Sequence, residues 1–485
     1  MASRPTPVYR TADIRRIEQA AGATQPPLME RAGLAAADFA AALMPPSGKD
    51  ILVLAGPGNN GGDARIAARI LGERFFRVTL ATATDAASLP ADKRWALVID
   101  GLFGIGLTRE VAGDYARMVD YANAQSCRVL ALDIPSGLES DTGRIMGKSV
   151  RATHTLSFIA LKPGLLTLDG PDLCGEVRVA DLGLDARALV PPSGWIAGPE
   201  ILADALKPRP RNFHKGKAGS VAILGGAAGM CGAALLAGRA ALKLGAGKVF
   251  VGLLDPDAPA FDAGALELML RHPDEVLGLD LDAIVAGPGL GEGERAQTLL
   301  GAALASDIAC VLDADALNLI AQNGDLRDAC ARRTAATIIT PHPAEAARLL
   351  GSSTRSVQED RLEAARALRD RFRAHTVLKG NGSVLAARDG HWFINTSGNP
   401  GMASAGMGDV LSGILGALLG QGLSGEAALV LGTHLHGAAA DHCVANGIGP
   451  VGLTASEVAD AARKVWNGWR EAPPQVFPEQ ETKKA

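Results

Sequence analysis

No long basic run interrupts the 485 residues, and 48 Lys and Arg against 52 Asp and Glu leave a net charge of −4. Binding a phosphate backbone needs clustered cations, so a nucleic-acid surface is not expected. No apolar stretch has the length of a membrane span. The longest near the C-terminal end, VLSGILGALLGQG, is too short and carries four glycines. The opening residues, MASRPTPVYRTADIRRIEQA, contain no apolar core of the signal-peptide kind, and the expected location is the cytoplasm. The six cysteines, at 127, 174, 231, 310, 330 and 443, form no C-x-x-C pair, which argues against a zinc site or a disulfide framework. The 58 glycines show no three-residue period, so collagen is excluded, and no Walker G-x-x-x-x-G-K-[ST] loop occurs. What remains is globular: 47% hydrophobic and 21% charged residues, with length for two or three domains.

Short apolar runs alternate with helix-like stretches from residue 50 to 184: ILVLAG, RVTLATA, ALVIDGLFG, RVLALDIPSG, THTLSFIAL and EVRVADLGL. They are too short for free helices and too uniformly apolar for a one-sided sheet, so they read as parallel strands covered on both faces. The alternation restarts at 219 with SVAILGG, KVFVGLLD, AIVAGPG, ACVLDADAL, TIITPH, TVLKGNG, SVLAARDG and HWFINT. Two α/β domains follow, 1–197 and 198–470, the first doubly wound in the Rossmann manner. The Pro-rich, polar residues 471–485 are expected to be a disordered tail. A helix should begin near Thr11, whose side chain is placed to cap it.

In the first domain, Gly56, Gly58 and Gly61 of GPGNNGGD satisfy G-x-G-x-x-G between a strand and a helix, where amides and helix dipole favour a phosphate. A tight turn and a nicotinamide dehydrogenase, with Asp85 as its ribose acid, remain open readings. The plain fingerprint leaves Asn59, Asn60 and Asp63 unexplained. DGLFGIGLTRE puts Asp100 at a second strand end, and DIPSGLESDTG puts Asp133 and Ser136 at a third. Ligands of open α/β sheets bind at carboxyl strand ends, so these loops should share a crevice. Asn60, Asp100 and Ser136 are hard oxygen donors without excess charge, suited to a monovalent cation rather than zinc. Lys162, just past a fifth strand, reads equally as a solvated lysine or as a neighbour of the crevice.

GPGNNGGD, DGLFGIG, DIPSGL and LMERAG resemble the NAD(P)HX epimerase family over roughly residues 8–195. The resemblance implies contacts to hydrated nicotinamide dinucleotide from Asn59, Asn60, Gly61, Gly62 and Asp63, and from Gly104, Ile105, Gly106, Leu107, Thr108, Arg109 and Glu110. It further implies potassium on Asn60, Asp100 and Ser136. Asp133 leads for acid/base work and is counted among the dinucleotide contacts; Lys162 joins it in the catalytic set. Ala64 and Ile105 depart from the family's usual glycine and GTG.

In the second domain, NTSGNPGMASAGMGDVLSGILGALLGQG runs glycine-dense sequence into Asp409 and an apolar helix. Amides at a helix N-terminus form an anion hole, and a carboxylate beside them suits phosphoryl transfer to a hydroxyl, with Asp409 as base. A capped, Gly-rich helix start is the alternative. GPGLG (287–291), DADALN (Asp313, Asp315, Asn318), TPHPAE (His342, Glu345) and KGNGS (379–383) end other strands on the same side. His434, His436, Asp441 and His442 fall on different faces of a helix and read as packing rather than a metal site.

Together with HKGKAG and GGAAGMCGAALLA, these motifs resemble the ADP- or ATP-dependent NAD(P)HX dehydratases, a ribokinase-like α/β family, over roughly residues 200–470. The resemblance implies dinucleotide contacts at Ala233, Gly289, His342 and Asp409. It places ADP or ATP on Lys379, Gly380, Asn381, Gly382, Ser383 and Gly408, with Mg2+ as cofactor. Met407 and Ser383 stand where that family usually has threonine. With both halves present, the chain resembles the fused, bifunctional NAD(P)H-hydrate repair family, which implies NADHX and NADPHX as substrates, ADP as the favoured donor and a homo-oligomer. Two rivals stay open: a small-molecule kinase fused to a dehydrogenase, and a first domain that only binds its ligand.

Overall fold

The computed structural model describes residues 5–46, 48–206 and 209–471, without the side chains of 202–205 and 471. The chain forms two compact units, one of residues 7–195 and one from 196 onward that also takes in Thr6. Residues 472–485, nearly all of the expected tail, lie outside the described residues.

In the first unit, six strands, β1 (Asp50–Ala55), β2 (Arg77–Ala81), β3 (Leu97–Gly101), β4 (Arg128–Leu132), β5 (His154–Phe158) and β6 (Glu176–Ala180), pair in parallel in the order β2-β1-β3-β4-β5-β6. Alternation along the strands feeds two cores. Ile51, Val53, Leu97, Ile99 and Leu130 pack with the helices α1 (Thr11–Ala21), α2 (Leu28–Leu43) and α3 (Asn59–Glu73). Leu52, Leu54, Val98 and Val129 pack with Met118, Val119 and Ala122 of α4 (Gly113–Asn123) on the other face. Each such leucine or isoleucine contributes roughly 1.5–3 kcal/mol when fully buried. Strand order reverses between β1 and β3, and that switch point opens a crevice at their carboxyl ends. Thr11 does not cap its helix. It is the first helical residue, and Asp141 accepts its amide at 2.7 Å from a distant loop. A carboxylate at a helix start also complements the dipole, which a hydroxyl would not.

In the second unit, nine strands are β7 (Ser220–Gly225), β8 (Lys248–Leu253), β9 (Met269–Arg271), β10 (Ala283–Ala286), β11 (Ala309–Leu312), β12 (Thr337–Ile339), β13 (His375–Leu378), β14 (Ser383–Ala386) and β15 (Trp392–Asn395). Their order is β15-β14-β13-β12-β11-β10-β7-β8-β9. The expected all-parallel sheet is corrected at one edge: β13, β14 and β15 pair antiparallel. The few residues between them permit a hairpin, whereas a parallel return needs a dozen or more. β9 carries no sequence signal, being three partly exposed residues paired with β8 at the opposite edge. The helices that frame the candidate site are α5 (Ala314–Gln322), α6 (Pro343–Leu350), α7 (Met407–Gly420) and α8 (Gly425–Ala445).

Candidate functional sites

The crevice of the first unit is a cavity of about 720 Å³. Its floor is the turn from β1 into α3. A Cβ on Gly56 would stand 1.7 Å from the Leu102 carbonyl, and one on Gly61 would stand 1.9 Å from the Gly56 carbonyl. Backbone approach therefore demands both glycines. Ala64, the departure from the usual glycine, packs its methyl group where Gly101 leaves room. Of the anticipated residues, Asn59, Asn60, Asp63, Gly104 to Arg109 and Asp133 line the cavity. Gly61 and Gly62 lie behind this wall in the first turn of α3, Glu110 is exposed beyond it, and Asp85 folds back to accept the Thr82 amide at 2.8 Å. Asp85 does not line the cavity, where the dehydrogenase reading would need its ribose acid.

Three strand-end loops are tied together below the cavity. Asp100, wholly buried, accepts the Ser136 hydroxyl at 2.7 Å and the Ser136 amide at 2.8 Å. Ser136 Oγ in turn accepts the Phe103 amide at 2.8 Å. Burial pushes the Asp100 carboxyl up to about 6 against the hydrogen bonds from Ser136 and Leu102. Asn60 donates to the Leu132 carbonyl at 3.1 Å, while its buried Oδ1 has no hydrogen-bond partner among the described residues.

Lys162 is not a solvated strand-end lysine: it is fully buried. Its ammonium donates to Asp133 Oδ1 at 2.5 Å, Ser157 Oγ at 2.8 Å and the Phe158 carbonyl at 2.8 Å, which uses all three of its protons. Asp133 also accepts the Ile105 amide at 3.3 Å. Asp133 (φ +65°) and Ile159 (φ +67°) both hold left-handed backbone at neighbouring strand ends and both line the cavity. Strain of this kind costs of order 1–3 kcal/mol and concentrates at functional sites. Asp63 is 8% exposed, and burial, then Asp133 and Glu18, push its carboxyl up to about 7. Glu18 on α1 also lines the cavity, and burial, then Asp133, raise its carboxyl. Sequence reasoning missed Glu18 because it sits in an amphipathic helix remote from every glycine loop; LMERAG, nearby on α2, was the only hint.

In the second unit Lys379 and Asp313 stand beside Gly408 and Asp409 at the start of α7. Gly406 holds φ +86°, and the first-turn amides that follow have no partner within a helix. A Cβ on Gly408 would meet Lys379 Nζ and Asp313 Oδ2, each at 3.4 Å, so an ammonium and a carboxylate stand against the helix start. Lys379 donates to Asp313 Oδ1 at 2.8 Å, and Ser412 donates to Asp313 Oδ2 at 2.7 Å. Burial alone would raise the Asp313 carboxyl, but the Lys379 charge and the hydrogen bonds from Lys379, Ser412 and Thr340 hold it below the ordinary range. Asp409, in the first turn of α7, is pushed up to about 7 by burial and then by the Asp313 carboxylate. Ser412, one helical turn further on, carried no sequence signal inside the apolar run.

Ala233 and Gly289 also come together: a Gly289 Cβ would stand 3.4 Å from the Ala233 Cβ. Asp315 links them to Asp409, accepting the Gly291 amide at 2.8 Å while its charge raises the Asp409 carboxyl. His342 has a structural task not foreseen. It caps α6, its Nδ1 accepting the Ala344 amide at 3.1 Å, while Glu345 accepts the His342 amide at 2.8 Å. The turn Lys379–Ser383 joins β13 to β14. Ser383 Oγ accepts the Gly380 amide at 3.2 Å, and buried Arg361 donates to the Leu378 and Lys379 carbonyls at 3.2 and 3.3 Å. In the histidine group, His434 meets Asn395 and stacks on Trp469, His436 is buried, and Asp441 accepts the Gly398 amide at 2.8 Å.

The family described as NAD(P)H-hydrate dehydratase matches residues 221–463, and that described as YjeF-related protein N-terminus matches 25–97 and 81–164. Bifunctional NAD(P)H-hydrate repair enzymes of Coxiella burnetii and Escherichia coli are 37% and 38% identical. The alignments cover 95% and 96% of this chain and 100% and 94% of the relatives. Among solved structures, the ADP/ATP-dependent NAD(P)H-hydrate dehydratase of Bacillus subtilis, crystallised with ATP and Mg2+, is 30% identical with a TM-score of 0.51. It covers 56% of this chain and 98% of its own. A ribokinase-like protein of Enterococcus faecalis is 25% identical, with a TM-score of 0.51 over 57% of this chain and 96% of its own.

Proposed function

This chain belongs to the bifunctional NAD(P)H-hydrate repair enzyme family, and from that premise we propose that it restores hydrated NADH and NADPH. The first unit interconverts the R and S epimers, and the second dehydrates the S epimer at the expense of ADP. The proposed boundary between the two activities, 197/198, lies two residues past the division of the compact units at 195/196. The observation that carries the reading is the pairing of Asp409 with an anion-binding helix start against which Lys379 stands.

The chemistry follows from leaving-group ability. Hydroxide leaves poorly and phosphate leaves well, so the substrate hydroxyl is first phosphorylated. Asp409 takes the hydroxyl proton as its oxygen attacks the terminal phosphorus of ADP, and AMP departs. Loss of phosphate and of a proton from the adjacent carbon then restores the ring double bond, with NADH, AMP and phosphate as products. Amides of Met407, Gly408 and Asp409 and the Lys379 ammonium hold the moving phosphoryl group. The Lys379–Ser383 turn carries the adenine nucleotide, whose phosphates bring Mg2+ with them. Ala233, Gly289 and His342 hold the dinucleotide. In the first unit, Asn59 to Asp63 and Gly104 to Glu110 hold the hydrated dinucleotide, and Asp133, supported by Lys162, moves the proton. Potassium fits the oxygen set of Asn60, Asp100 and Ser136, because Asn60 Oδ1 is buried without a partner among the described residues. When bound there it supplies a fixed positive charge that joins three loops. Six free cysteines support a reducing, cytoplasmic setting; among the described residues no helix is long and apolar enough to cross a membrane. A homo-oligomer completes the reading, supported by the resemblance alone.

The test mixes the purified chain with R- or S-NADHX, Mg2+, K+ and ADP or ATP, and follows the absorbance of reduced nicotinamide. Recovery of both epimers is expected, faster with ADP. Recovery of the S epimer alone would reduce the first unit to a binding module, and no recovery with either nucleotide would sink the reading.

A further inference from the structure

Asp63 has a property that dinucleotide binding does not require. The residue is more than nine-tenths buried, and its carboxyl lines the cavity and takes neither a hydrogen bond nor an ion pair among the described residues. Burying an uncompensated carboxyl is costly, and an asparagine of the same shape would serve a hydrogen bond to ligand without that cost. The charges that face it are those of Glu18 from α1, Asp133 from the end of β4 and, in the cavity wall, Arg15 and Arg109. Lys162 spends its protons on Asp133, Ser157 and Phe158. One cavity thus contains an ion-paired carboxylate and an unpaired carboxyl on different elements.

The reaction needs such a pair. Water adds to an enamine at the carbon bonded to nitrogen, so the hydrated ring is a carbinolamine whose stereocentre carries hydroxyl, hydrogen and ring nitrogen. Inverting that centre requires a bond to it to open and close on the other face. We propose that Asp63 is a second catalytic residue of the epimerase, exchanging a proton with the ring nitrogen while Asp133 exchanges one with the hydroxyl. Asp133 takes the hydroxyl proton, the oxygen lone pair forms an aldehyde C=O, and the C–N bond breaks with its electron pair on nitrogen. Nitrogen receives the Asp63 proton. The aldehyde turns about its C–C bond and nitrogen attacks the other face. As it does so, nitrogen returns its proton to Asp63 and the oxygen recovers one from Asp133. Nothing is oxidised or reduced, and both side chains end as they began. Burial, then the Asp133 and Glu18 charges, keep Asp63 protonated up to about pH 7, which suits it to give a proton, while Asp133 is ion-paired with Lys162.

The inference rests on the epimerase reading of the first unit, and the full chain tests the two separately. R-NADHX with ADP reports epimerisation followed by dehydration, whereas S-NADHX reports dehydration alone. Asp63→Asn should lower the R-epimer rate at least about 100-fold, with the S-epimer rate in the same sample reporting that the second unit is intact. In the wild type, kcat/KM for the R epimer should fall as pH rises through about 7, since the protonated acid is the working form. Asp63→Glu should recover part of the rate and keep that falling limb, which also covers the case of an Asn variant that fails to fold. An Asn variant within threefold of wild type, or one altered only in KM, would overturn the role of Asp63. A wild-type chain that restores the S but not the R epimer would overturn the epimerase reading itself.

Discussion

Replacing Asp409 by Asn separates its work in catalysis from its effect on the fold. The carboxyl titrates near 7 in the folded chain and near 3.8 when exposed. Between those values the folded chain keeps a proton that the unfolded chain has released, so stability falls as pH rises from about 4 to 7 and is level above. The gap amounts to about 4 kcal/mol against the ionised form at pH 8, a ceiling because Asp409 is not wholly buried. Asn carries no such burden. Asp409→Asn should therefore melt higher than the wild type at pH 8, by at most roughly 8–16 °C at about 2–4 °C per kcal/mol, and the advantage should shrink toward pH 4.5. Meanwhile S-NADHX dehydration should drop about 10²- to 10⁴-fold, the usual share of a general base. The wild-type rate should rise through pH 7 as Asp409 becomes able to accept a proton. Melting curves at both pH values and initial rates of NADH formation are the assays. A melting difference that does not grow with pH, or a variant that keeps the wild-type rate, would refute the reasoning.

Three further outcomes are expected. Lys162→Met leaves the Asp133 carboxylate buried beside an apolar chain, which should cost about 3–5 kcal/mol in the first unit and abolish R-epimer recovery, as melting and the two-epimer assay would read. Asn60→Leu removes the unpartnered oxygen, so the K+ concentration for half-maximal epimerase activity should rise at least tenfold, or the activation should vanish; unchanged K+ dependence would place the ion elsewhere. At Gly287 the backbone holds φ +129° and a Cβ would stand 1.7 Å from the Asp313 carbonyl, so Gly287→Ala should displace Asp313 and Lys379 and raise the KM for ADP; an unaltered KM would show that this loop does not hold the nucleotide end.

Much of the architecture was legible because buried parallel strands must be apolar on both faces. ILVLA, ALVID and RVLAL announce themselves, and the two cores on either side of them follow from simple alternation. The glycine loops were legible too, since only glycine tolerates the approach of another backbone at Gly56 and Gly61. The antiparallel edge was written in the short spans between TVLKGNG, SVLAARDG and HWFINT, although strand character alone conceals direction. Thr11 looked like a cap, and its partner Asp141 comes from 130 residues away.

By itself, then, the sequence determined most of the strands, where the glycine-rich turns fall, and which aspartates stand at strand ends, because period, composition and steric need are local properties. Only the tertiary structure decided what surrounds each charged group. Lys162 became a fully buried partner of Asp133, Asp313 became the carboxylate that holds Lys379 against α7, and burial with like-charged neighbours raised the Asp63 and Asp409 carboxyls. The proton affinity of a carboxyl depends on desolvation and on charges within a few ångströms, and those neighbours are contributed by elements far apart in the chain.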